Sequence, residues 1–146
     1  MYNFILTVHL LAATIWVGGH LVLLFGFLPK AILNKDPSHV LNFEVVYEKL
    51  GIPALLLQVI TGLWLGFQKI PNFLLWWDWS NYSSKLLSLK IIFLVATILL
   101  ALHARLRLIP NLNSKNLRFL ALHILGVTIL SICFLLAGLS FRTGFF

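Results

Sequence analysis

The chain has 146 residues, 60% hydrophobic and 10% charged, with mean hydropathy +0.98 and formal net charge +7. Soluble domains carry about 25% charged residues, so this composition excludes a soluble domain and makes the lipid bilayer the chain's first partner. The basic residues flank apolar runs instead of forming a surface tract, which argues against nucleic acid.

A membrane-crossing helix needs about 20 apolar residues. Four runs meet that length, at roughly 4–28, 49–68, 86–104 and 118–140. They use most of the chain, so residues 1–146 form a single transmembrane domain. The first run lacks a basic stretch before it and reads as a retained helix, not a cleaved signal. Its core, "HLLAATIWVGGH", has a histidine at each end, His9 and His20. Eleven steps of about 100° come to three turns plus about 20°, so both rings project from one face, roughly 16 Å apart.

The segment "LPKAILNKDPSH" joins spans one and two, with Pro29 and Asp36-Pro37 read as helix breakers. In the second span Glu44, Glu48, Gly51, Leu55, Gln58, Gly62 and Gly66 fall within about 40° of one line. Glycine on a membrane helix allows close approach of another helix or a flat ligand. The segment "KIPNFLLWWDWSNYSSK" follows, and Trp76, Trp77, Trp79 and Tyr82 suit an interfacial aromatic belt. "LIPNLNSKN", with Pro110 and Asn113, joins spans three and four. Connections this short make consecutive helices antiparallel neighbours, giving an all-α, up-down-up-down four-helix bundle.

Loops one and three with their flanks hold Lys30, Lys35, Lys49, Arg105, Arg107, Lys115 and Arg118; the other side holds Lys69, Lys85, Lys90 and Arg142. This bias puts loops one and three in the cytoplasm and both termini outside. Cys133 is single, so the chain has no intrachain disulfide. Four helices bury little surface, which invites a homodimer without naming its interface.

At 1.5 Å per residue across a core of roughly 30 Å, His20, His103 and His123 reach one level in the inner leaflet. Glu44 and Glu48 lie just beneath them, and His9 stands in the outer half, nearest in level to Lys85 and Lys90. The plain alternative for each histidine is a hydrogen-bonded packing residue. Ionisable groups within spans are costly, however, and they usually face the bundle interior. Imidazole with carboxylate suits a Cu(II) or Zn(II) site, with His20, Glu44, Glu48, His103 and His123 as candidate metal ligands. With one Met and one Cys, the chain offers no sulfur-lined path for Cu(I). Paired imidazoles also serve as axial ligands of haem b, and the cofactor candidates are then His9, His20, His103 and His123. Arg105, Arg107 and Arg118 would serve topology by snorkelling, or hold Glu44, Glu48 or an anionic ligand. A proton relay through His and Glu is a third use.

The W-x-G-G-H stretch ending at His20, the Glu-containing start of span two, H-A-R-L-R from His103 and the terminal F-R-x-G together resemble the copper-resistance CopD superfamily. The resemblance covers nearly the whole chain. It implies a multi-pass protein of the bacterial inner membrane in copper transport or homeostasis, working with a periplasmic copper or redox partner. His9, His20, Glu44, Glu48, His103 and His123 are the residues carried over. Larger CopD proteins have more spans. HemJ-type protoporphyrinogen oxidases are more distantly similar, with His9, Lys90 and His103 at comparable positions. Lys90 and His103 are about 220° apart round one helix, which separates them from a common site. A haem-binding reading implies an oxidoreductase, and a copper-transport reading does not.

Overall fold

The computed structural model describes residues 1–145. Four helices are long and apolar enough to cross a membrane, spanning Tyr2–Asn34, Ser38–Lys69, Tyr82–Asn111 and Leu117–Thr143. The protein is an all-α, multi-pass bundle, and no strand occurs among the described residues.

Each helix outruns its apolar stretch. The first passes from α1 (Tyr2–Val22) through a π-turn (Leu23–Phe27) into α2 (Leu28–Asn34). Pro29 does not break it, contrary to the sequence expectation. It occupies the first turn of α2, where a missing N–H costs nothing. The π-turn just before it absorbs the misfit. The stop comes at Lys35, whose φ of 51° is left-handed. Asp36 then accepts bonds from the Ser38 N–H (2.9 Å) and hydroxyl (2.7 Å), which hold its carboxyl below the usual range and start the next helix. That helix, α3 (Ser38–Lys69), carries Pro53 without ending. α4 (Tyr82–His103) starts where Asn81 accepts from the N–H groups of Ser83 and Ser84, and it runs into a second π-turn (Ala104–Leu108). α5 (Leu117–Thr143) ends at Gly144 with φ 64°.

Polarity is distributed inside out. Phe25, Val46, Ile60, Leu99 and Leu122 are all more than half exposed, while Ser84, Ser88, Thr97, Thr128, Ser131 and Ser140 are buried. A bilayer solvates apolar surface at no cost, and small residues let helices approach. Half of these six return their proton to a carbonyl four residues back: Thr128 to Ile124, Ser131 to Val127 and Ser140 to Leu136.

α3 packs on α1, α1 on α5, and α5 on α4. The backbones of α3 and α4 do not pack closely on each other, so the ring has one loose side. Trp76, in the 3₁₀ turn Phe73–Trp77, wedges that side at the aromatic end of the bundle. Its ring rests against Gly66 on α3, its Nε1 donates to Ile70 O (2.8 Å), and its carbonyl accepts from Ser88 on α4. Trp76 is therefore buried at 1% exposure instead of joining the interfacial belt, where Trp77, Trp79 and Tyr82 remain exposed. At the opposite, basic end, Leu23, Leu28, Ala31, Val40, Leu117, Leu120 and Ile124 form a compact apolar core.

Candidate functional site

Between the Trp76 wedge and the basic end lies a cavity of about 290 Å³, open on one side. α1 contributes Trp16, His20 and Leu23; α3 contributes Glu44, Tyr47, Glu48, Ile52 and Leu55. The α4 span contributes Ile98 and Arg105 among others, and α5 contributes Leu120, His123, Ile124 and Val127. The lining is mainly apolar, with its ionisable groups at the basic end.

Tyr47 shapes one wall. It lies between Gly19 and Gly51, and a Cβ on either glycine would collide with its ring. Its hydroxyl donates to Trp16 O at 3.0 Å. The ring stacks on Phe43 (5.2 Å) and meets His20 edge-on (5.7 Å), while Trp16 covers His20 from the other side (4.5 Å). Gly19 thus makes room for a side chain of α3, which explains the second glycine of the W-x-G-G-H stretch in physical terms; a Cβ on Gly18 would meet open space.

Hydrogen-bond partners assign the tautomers of the histidines. His20 Nδ1 lies 2.8 Å from Trp16 O and His123 Nδ1 lies 2.9 Å from Phe119 O. A carbonyl only accepts, so each Nδ1 carries its proton, and neutral imidazole then has its lone pair on Nε2. On His20 that lone pair is left for the cavity. On His123 it accepts from His103 Nδ1 at 2.8 Å, with the two rings stacked at 4.9 Å. His103 is exposed and keeps its own Nε2 lone pair. His9 donates from Nδ1 to Thr61 Oγ1 (2.9 Å), because Thr61 spends its hydroxyl proton on Leu57 O. Gly62 leaves space for this imidazole.

The structure therefore brings His20, His123, Glu44 and Glu48 onto one cavity and ties His103 to His123. It sets His9 apart in the other half of the bundle. Among the described residues no group of three His, Cys, Asp or Glu is close enough to hold a metal ion. Arg105 Nη1 pairs with Glu48 Oε2 at 2.6 Å across the loose side. Lys90, from the HemJ-like pattern, extends past Gly138 to the face of Phe141 (6.0 Å), far from His103 and within electrostatic range of His9. Tyr47 and Thr61 escaped the sequence reading. The paired small residues Gly19 and Gly51 were the available signal for Tyr47, and Thr61 had none.

No family model, curated protein or solved structure matches this chain. The functional reading consequently stands on the geometry and on the residues themselves.

Proposed function

We propose that this protein binds a b-type haem or a closely related porphyrin in the cavity on the loose side of the bundle, and that it acts in electron transfer or porphyrin oxidation. The observation that carries this reading is the pair His20 and His123. Both line one apolar cavity, and both have Nδ1–H anchored on a backbone carbonyl of their own helix. Such anchoring fixes ring orientation and directs Nε2 outward as a ligand. The cavity, at about 290 Å³, lies just below the ~300–1,000 Å³ range of ligand pockets, so a macrocycle would project in part through its open side.

The donor set fits haem better than a bare ion, since two axial imidazoles suffice for haem. His20 would supply one ligand. His123 would supply the second once His103 gives up its bond, a movement of one exposed side chain. When bound, haem supplies one-electron chemistry, with a potential tuned by its axial ligands and surroundings. The chain's own part is to orient the imidazoles, to exclude water with Trp16, Leu55, Ile98 and Val127, and to hold anionic edge groups at the basic end through Arg105.

Copper is the second reading, favoured by Glu44 and Glu48 on the same cavity as two histidines. It requires the donors to gather, because no three of them are within reach of one ion. The charge bias of the loops supports the orientation with loops one and three in the cytoplasm and both termini on the opposite side, which for the proposed bacterial inner-membrane protein is the periplasm.

An absorption spectrum of protein purified from haem-replete cells, before and after dithionite, tests the proposal. A Soret band that shifts on reduction and is lost in His20→Ala is the expected result. A colourless protein with bound copper, lost in a His20→Ala/His123→Ala variant, would replace haem by copper.

A further inference from the structure

Two buried polar atoms in the described structure have no hydrogen-bond partner in the protein: Gln58 Oε1 on α3 and Thr97 Oγ1 on α4. Thr97 is 1% exposed. The other fully buried threonine, Thr128, returns its proton to its own helix, so the behaviour of Thr97 is not a general habit of this bundle. An orphaned buried hydroxyl or amide oxygen costs free energy unless something satisfies it.

The register of α3 against α4 brings these atoms to neighbouring levels. Glu48 meets Arg105 at the basic end, and Gly66 meets Leu87 at the aromatic end. The two contacts are the same number of residues apart on each helix, so the helices run in step, and Gln58 stands opposite Val95. Thr97 is two residues further on, an offset of about 3 Å along the axis. This is also the side where the two backbones stay apart. The cavity ends at Ile98 and Val127, adjacent in sequence to Thr97 and Thr128. On the other side of Gln58, Thr61 is about 4.5 Å further along, and it holds His9 through Nδ1, which leaves Nε2 as the acceptor nitrogen of the ring. Lys90 is the charged group that acts on His9 in this half.

We propose that internal water occupies the gap between α3 and α4, bound by Gln58 Oε1 and Thr97 Oγ1, and carries protons between the His20 cavity and His9. Along the bundle axis Thr97 is offset from Gln58 by about 3 Å and Thr61 by about 4.5 Å, each comparable to one or two hydrogen-bond lengths of about 2.8 Å. The Thr97 hydroxyl both donates and accepts, Gln58 Oε1 accepts, and His9 Nε2 takes a proton from water or returns one to it. Only protons move, no group is oxidised or reduced, and the route is independent of what the cavity binds.

Magnetisation transfer from mobile water, followed by solid-state NMR on the full chain in lipid bilayers, tests the site. Rapid transfer to the side chains of Gln58 and Thr97 is expected. Deuterium exchange at the His9 imidazole should slow at least tenfold in a Gln58→Leu/Thr97→Val variant and stay near wild type in Thr97→Ser. Absence of water transfer to either wild-type side chain overturns the proposal, whether or not the variants fold. Equal His9 exchange in all three proteins overturns the proton route. Neither readout depends on a Soret band, so failure here is distinct from failure of the haem reading.

Discussion

Arg105 Nη1 lies 2.6 Å from Glu48 Oε2, joining the α4 span to α3 on the side where their backbones otherwise stay apart. The side chains are 52% and 30% exposed, so the pair contributes little to stability in itself. Its position matters more, because both residues also line the candidate cavity. A double-mutant cycle of Arg105→Gln and Glu48→Gln is expected to give a coupling of no more than about 1 kcal/mol in unfolding. On the haem proposal, Arg105→Gln should also lower the Soret-to-280 nm absorbance ratio of the purified protein, because it removes the cation at the basic end of the cavity.

Tyr47 occupies a slot that only glycine at 19 and 51 leaves open. Gly19→Ala should overpack this contact and destabilise the bundle by about 1–3 kcal/mol. Tyr47→Phe, which loses the hydroxyl's shared bond to Trp16 O and Ile15 O, should cost about 1 kcal/mol. Denaturant titration in mixed micelles measures both. No loss of stability in Gly19→Ala would mean that the slot does not control packing.

Thr61 accepts the Nδ1 proton of His9, which is 9% exposed. Thr61→Val removes the hydroxyl acceptor of the His9 ring, at a cost of about 0.5–2 kcal/mol. Thr61→Ser keeps the acceptor and should lose less. Thermal unfolding of the two variants should preserve that order.

Gly66→Ala places a methyl group 2.8 Å from Trp76 Cη2. The expected result is displacement of the tryptophan from its site on α3 and α4. Its fluorescence should shift to the red and become accessible to aqueous quencher, with a stability loss of about 1–3 kcal/mol. An unchanged emission spectrum would show that the wedge tolerates the extra carbon.

Reporter fusions in the turns at Asp36 and Asn113 are expected to report the cytoplasm, and one at Asp78 the opposite side, given the excess of Lys and Arg around the first two turns. Fusions giving the reverse pattern would invert the bundle without altering its internal geometry.

Four spans and their alternating direction were legible in the sequence, because apolar runs of the required length are a local property and short turns leave a helix few places to go. The helix ends were less legible. Pro29 and Pro53 lie inside continuous helical segments, one after a π-turn and the other mid-helix in α3, and a one-dimensional reading of proline cannot weigh such accommodation. The rise per residue was enough to bring His103 and His123 to one level, and they meet at 2.8 Å.

Level is not the same as adjacency, and here the tertiary structure decided. Depth follows from counting residues, whereas the order of helices round the bundle depends on which side chains fit which gaps. Trp76 against Gly66 and Tyr47 between Gly19 and Gly51 are contacts between segments distant in the chain. The backbone carbonyls of Trp16 and Phe119 fix the imidazole tautomers through geometry that composition does not encode. Sequence alone therefore determined that polar groups share a layer in a membrane bundle. Packing determined that His20 and His123 face one cavity, that His103 is spent on His123, and that α3 and α4 stay apart beside it. The reason is that shape complementarity between helices is a property of pairs of surfaces, and no single run of residues contains it.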